Sequence, residues 1–146
     1  MRGLVNIDTK LHIDLDWWEK EGKDFNYYVY EELCPECKER FKEFDRAISI
    51  DWIDPETAEV RQLNGLWETL IECCSQKPDY INSELPITKA VFRIFLATRN
   101  EPLSAAELAE RYGDKIGVTD PHRILRILTG GKVYNGIKPL KLSRAK

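Results

Sequence analysis

The chain has 146 residues, a net charge of −3, and 42% hydrophobic and 32% charged side chains. That length allows one ordinary domain or two small ones with a core that needs no disulfide support, and the composition excludes a disordered chain. No apolar run approaches the roughly 20 residues that a membrane helix requires, and Asp8 interrupts the N-terminus before a secretory h-region forms. The expectation is a cytoplasmic protein with no membrane partner.

In chain order, Leu11, Ile13 and Leu15 alternate with His12 and Asp14, which predicts a short strand over 11–15. Asp16 is the expected cap of a helical turn through Trp17-Trp18-Glu19-Lys20 that stops at Gly22. Over 24–44, Phe25, Tyr28, Val29, Leu33, Cys37, Phe41 and Phe44 keep helical spacing, broken or restarted at Pro35. The run Tyr27-Tyr28-Val29-Tyr30 also suits a strand. The helix formers Glu31, Glu32, Lys38, Glu39 and Arg40 favour the helix.

Ile48, Ile50 and Trp52 alternate with polar residues, so 48–53 is an expected strand. Asp54-Pro55-Glu56-Thr57 marks a turn, and 58–63 returns as a second strand. The rival is a helix starting at Asp54 with Pro55 in its first position. Asn64 then caps a helix carrying Leu66, Trp67, Leu70, Ile71 and Cys74 on one stripe, ended by Lys77-Pro78-Asp79. A module boundary is expected over 76–86.

The C-terminal half carries the clearest signals. Ile87, Ala90, Val91, Ile94 and Phe95 form a helical stripe. Ser104-Ala105-Ala106-Glu107 is a capping box, with Leu103 and Leu108 placed as a hydrophobic staple. That helix is expected to end at Tyr112-Gly113. Asp120-Pro121 opens a third helix with Ile124, Leu125, Ile127 and Leu128 inward and Gly130 as terminator. Lys132 to Lys138, with Asn135-Gly136 between short apolar flanks, predicts a two-residue hairpin whose return strand Pro139 confines to an edge.

The expected fold class is α+β and mainly helical. A small antiparallel sheet belongs to an acidic, aromatic-rich domain over 1–80, a three-helix domain covers 86–142, and a basic tail covers 143–146. Charge divides the same way. Residues 113–146 carry eight basic and two acidic side chains, or +6, and residues 1–112 carry 14 basic and 23 acidic, or −9. A basic end on an acidic body points to a polyanion, an acidic partner or the chain's own acidic half.

Three helices followed by a basic hairpin resemble a winged helix, a helix-turn-helix variant widespread in DNA-binding regulators, over about 87–142. The resemblance implies a third helix in the major groove and a hairpin on the backbone. It places Arg123 and Arg126 at the groove, with His122, Thr119 and Thr129 near them, and Lys132 and Lys138 on the wing. Arginines pair bidentately with guanine edges and wing lysines neutralise phosphates. Winged helices also serve purely as protein-docking or dimerisation modules, so a binding module without DNA stays open beside it. The N-terminal half resembles small uncharacterised bacterial proteins with stretches similar to Asp51-Trp52-Ile53-Asp54-Pro55-Glu56-Thr57, which implies no function.

Four cysteines remain: Cys34 and Cys37 in a C-x2-C pair, and the adjacent Cys73 and Cys74. Structural zinc takes about four Cys or His ligands in a tetrahedron. Neighbouring side chains on a helix point about 100° apart, so only one of Cys73 and Cys74 is expected to ligate. Cys74 falls in the apolar stripe and is expected in the core. The candidate metal set is therefore Cys34, Cys37, Cys73 and His12 with structural zinc as the candidate cofactor, and reduced structural thiols without a metal stay open as the other reading of the four cysteines.

C-x2-C at a helix start also raises thiol–disulfide exchange as a third reading. Against it stand the missing preceding βα unit and the lack of a Trp before Cys34. No triad is supported, with two histidines and no base paired to Ser49 or Ser104, and no phosphate-binding glycine motif is present. The expectation is a non-enzymatic regulatory or binding protein. Trp17, Trp18, Trp52 and Trp67 are expected to build the first core. Trp17 and Trp18 cannot both point inward, which points to a homodimer, a protein partner, or docking between the halves.

Overall fold

The computed structural model describes residues 5–41, 49–53 and 60–140, with side chains described over 5–39 and 65–140. The elements are β1 (Lys10–Ile13), α1 (Leu15–Lys20), α2 (Phe25–Glu31), α3 (Pro35–Phe41), β2 (Ser49–Ile53), β3 (Val60–Asn64) and α4 (Gly65–Glu72). A 3-10 turn (Cys74–Gln76) follows, then α5 (Ile87–Ala97), β4 (Leu103–Ser104), α6 (Ala105–Ile116), α7 (Pro121–Thr129) and β5 (Ile137–Pro139). The protein is α+β and mainly helical.

The chain divides into two compact units, one of Met1–Gly22 with Ile81–Lys146 and one of Lys23–Tyr80. This differs from the expected division into 1–80 and 86–142, because β1 and α1 belong with the C-terminal elements. The expected tail over 143–146 lies outside the described residues.

In the first unit the sheet order is β4-β1-β5, all antiparallel. Leu11 pairs with Leu103 and Pro139, and Ile13 with Ile137. Strand alternation turns Leu11 and Ile13 into the core and leaves Lys10 exposed. Burying each such side chain contributes about 1.5–3 kcal/mol, enough to hold a four-residue strand with a partner on each side.

Asn100 adds a side-chain rung to this sheet. Arg99 and Asn100 follow α5 with φ of 58° and 65°, left-handed values that Asn tolerates better than most residues. There the Asn100 amide pairs with both backbone groups of Ile13. Its Oδ1 accepts from the Ile13 N–H at 2.7 Å and its Nδ2 donates to the Ile13 carbonyl at 2.9 Å.

The expected hairpin over 132–138 forms only in part. Asn135 and Gly136 do make a turn, with φ of 50° and 81° and the Ile137 N–H bonded to the Tyr134 carbonyl at 3.0 Å. Residues 132–134 form no strand ahead of the turn, and β1 lies beside β5 instead. A side chain at position 136 would meet Trp18 Nε1 at 2.8 Å, because the indole donates to the Asn135 carbonyl at 3.1 Å. Trp18 is thus buried in this unit, in ring contact with Phe92, while Trp17 stays half-buried beside it. The expectation that Trp18 builds an N-terminal core is corrected by that packing.

Two caps also shift. Asp14, not Asp16, caps α1 by accepting from the Asp16 N–H, and Leu15 is the first helical residue. The capping box of α6 forms as expected. That helix runs past Gly113 to Ile116, and Gly117, with φ of 83°, supplies the left-handed cap. Gly113 serves close packing instead, since a Cβ there would lie 3.0 Å from Thr119 Cγ2. The link to α7 is therefore only residues 117–120, and Asp120 caps α7.

In the second unit, α2 packs on α4 with Phe25 and Trp67 in edge contact at 5.3 Å. β2 and β3 pair antiparallel, with Trp52 opposite Arg61. The turn expected over 54–57 and the rival helix start lie outside the described residues, as do the side chains of Trp52 and Asn64.

Replacing Asn100 with Ala leaves both backbone groups of Ile13 short of a partner, and we expect a loss of roughly 1–3 kcal/mol in urea unfolding. A change within error would show that the rung contributes nothing. A second expectation concerns acid. Lys10 at 2.7 Å, then the Ser104 N–H, hold the Glu107 carboxyl below its ordinary range. A depressed carboxylate contributes stability above its unfolded pKa and loses it as pH falls through the folded value. Glu107→Gln, which can keep the capping box, is expected to be less stable than the parent at neutral pH and to converge with it below about pH 4. A gap that persists in acid would assign the effect to something other than the charge.

Candidate metal centre

The metal-ligating side chains that converge are sulfurs. Pro35 starts α3, so Cys34 sits just before the helix and Cys37 in its first turns. Opposite them, α4 ends at Glu72 and the chain tightens into the 3-10 turn at Cys74. Cys73 lies at the junction with φ −119° and ψ −63°. This break lets two adjacent cysteines face one point, because the 100° fan of a continuing helix no longer applies. The four sulfurs of Cys34, Cys37, Cys73 and Cys74 all lie within 4.8 Å of one another.

Cys37 and Cys74 are buried, Cys34 and Cys73 half-buried, and all four are free thiols. The Cys34 N–H donates to Cys74 Sγ at 3.1 Å, and the Cys74 thiol donates to Cys34 Sγ at 3.4 Å. Lys77 closes one side through an ion pair with Glu36 at 2.8 Å. The Tyr30 hydroxyl donates to the Lys38 carbonyl at 3.1 Å, tying α2 to α3.

Burial pushes the Cys37 thiol well up, aided by the sulfurs of Cys73 and Cys34, and pushes Cys74 up to about 11. Burial acts on Cys34 in the same direction, but hydrogen bonds from the Cys37 backbone and the neighbouring thiols outweigh it, and its pKa falls. The cluster favours charge on one sulfur at a time, with the other thiols as donors to it.

The arrangement fits a tetrathiolate metal site. A Zn–S bond of about 2.3 Å puts tetrahedral sulfurs roughly 3.8 Å apart. The spacing here, from 3.4 Å for one pair to at most 4.8 Å, brackets that value. Three of the expected ligands, Cys34, Cys37 and Cys73, meet. The fourth place belongs to Cys74 and not to His12. His12 lies on β1 opposite Lys138, and burial, partly opposed by Asp14, lowers its pKa. The signal for Cys74 was the stop at Lys77-Pro78: a helix about to end within a turn does not keep its residues at fixed angles.

The residues implied by the winged-helix resemblance lie elsewhere. His122, Arg123 and Arg126 are exposed on α7, and Lys132 is exposed after it. Among the described residues neither guanidinium has a carboxylate partner, and His122 Nδ1 is 3.7 Å from Asp120. Lys138 departs from this group, since it is half-buried on β5 and ion-paired with Asp14 at 3.3 Å. No protein-family model, no curated protein and no solved structure matches the chain. Among the described residues no helix is long and apolar enough to cross a membrane.

Proposed function

We propose that the chain is a non-catalytic binding protein whose Lys23–Tyr80 unit is built around structural zinc held by Cys34, Cys37, Cys73 and Cys74. The observation that carries this reading is the convergence of four free sulfurs from two separate segments. Four thiolates fill a tetrahedron and leave no open position for a substrate or water, which is the composition of a structural rather than a catalytic zinc site. Free thiols also suit a reducing compartment such as the cytoplasm.

Protein purified under reduction and without chelator is expected to carry stoichiometric zinc by elemental analysis. Cys37→Ser or Cys74→Ser is expected to lower the content sharply, and His12→Ala to leave it unchanged. Stripping the metal is expected to lower the thermal midpoint, because metal binding to such a site is coupled to folding. A chain that neither carries nor takes up zinc would overturn the proposal.

A second reading concerns α7. The order of helix, two-residue strand, helix, four-residue link and helix resembles that of a winged helix, and the link is as short as a helix-turn-helix turn. The arginines of α7, exposed and without a carboxylate partner among the described residues, give this reading its specific support. On it, Arg123, Arg126 and His122 contact nucleic acid, and Lys132 reaches phosphate. Lys138 is a weaker contact because it is engaged with Asp14.

Fluorescence anisotropy with random duplex DNA at roughly 50 and 200 mM salt tests it. Binding is expected to weaken steeply with salt, and Arg123→Ala/Arg126→Ala to lower the salt slope by about two phosphates' worth. No binding at the lower salt would leave a zinc-stabilised protein-interaction or homodimer module as the reading of the chain.

A further inference from the structure

The four sulfurs are not equivalent, and the difference selects a pair. Cys34 is half-buried and so the more accessible residue of the two, while Cys74 is 2% exposed. The two are joined twice, by the Cys34 N–H on Cys74 Sγ at 3.1 Å and by the contact between sulfurs at 3.4 Å. A disulfide bond of about 2 Å needs these sulfurs to close by little more than an ångström. Their backbones belong to different elements, Cys34 ahead of α3 and Cys74 at the start of the 3-10 turn.

Resting on the reading that the cluster holds zinc, we infer that Cys34 is an oxidation site for hydroperoxides and that Cys74 resolves it, so that metal loss exposes a Cys34–Cys74 disulfide switch. In the first step the Cys34 sulfur attacks the peroxide O–O bond. A sulfenic acid forms and one water (or alcohol) leaves, with the thiol proton passing to the departing oxygen. In the second step the Cys74 sulfur attacks the sulfenic sulfur. The S–S bond forms, the S–O bond breaks, and the hydroxyl leaves as water with the Cys74 proton. Two thiols lose two electrons and the peroxide gains them. Zinc held by the four sulfurs would slow the first step, because the electron pair of Cys34 that must attack would be engaged with the metal. Oxidation removes two ligands at once, so the disulfide and the metal exclude each other.

The full chain is tested in zinc-loaded and chelator-stripped forms, each exposed to excess hydrogen peroxide, alkylated and mapped by mass spectrometry without reduction. Cleavage after Glu36 separates Cys34 from Cys37, and fragment spectra separate Cys73 from Cys74. The expected product is a predominant Cys34–Cys74 disulfide, with Cys37 and Cys73 alkylated, formed several-fold faster in the stripped protein. A predominant Cys34–Cys37 pair, a pair that includes Cys73, or no disulfide overturns the inference. Zinc content, measured before oxidation, tests the metal reading by itself, whatever the disulfide map shows. Where far-UV circular dichroism shows the stripped chain unfolded, the loaded protein alone is oxidised and zinc release is followed with a chromogenic chelator. Release that advances with the Cys34–Cys74 disulfide supports the inference, and release with any other pair overturns it.

Discussion

The middle position of β1 in its sheet is the constraint on which the first unit depends. A four-residue strand has little to hold it alone, yet both of its edges are filled, by β4 and by β5, and its inward side chains Leu11 and Ile13 are buried. Its partners are remote in sequence. The Asn100 amide grips Ile13 across 87 residues, and Trp18 reaches the Asn135 carbonyl across 117. Bringing such segments together costs loop-closure entropy that grows only slowly with length, so a few buried contacts suffice to offset it.

Once β1 is in place, several local features follow from it. Asp14, just past the strand, receives Lys138 from β5 and donates its N–H to the Gly136 carbonyl at 2.7 Å, while its side chain caps α1. Gly136 must be glycine because the Trp18 indole sits where a side chain would be. The Asn-Gly turn thus delivers β5 to the N-terminal strand and not to residues 132–134. In the second unit the comparable constraint is the end of α4. Had the helix continued through Cys74, its adjacent cysteines would diverge; the 3-10 turn lets both sulfurs meet those of Cys34 and Cys37.

Local signals were legible where one segment carries all of its own reasons. The capping box at Ser104, the Asp120-Pro121 start of α7, the break at Pro35 and the alternation around Leu11 each appear in the structure at or near the expected residues. Glycines were legible as special positions but not as to purpose. Gly113 looks like a helix stop and is a packing contact, while Gly117 four residues on is the stop. The packing at Gly113 depends on where Thr119 lies in space. The cysteine cluster was legible in three of its four residues. The fourth was assigned to His12 because helix geometry was extended through Cys74, past the point where α4 ends.

By itself the sequence determined the helical, α+β character of the chain, the capping box at Ser104, the Asp120-Pro121 start of α7, the Asn135-Gly136 turn and the C-x2-C pair, because these rest on backbone preferences and side chains within a few residues of one another. Tertiary structure decided which strands pair, which tryptophan is buried, and which sulfur completes the cluster. Periodicity shows that β1 has an inner face but carries no information on whose backbone will satisfy its edges. That choice is made by burial and hydrogen bonding between segments far apart in the chain, and only the folded arrangement contains it.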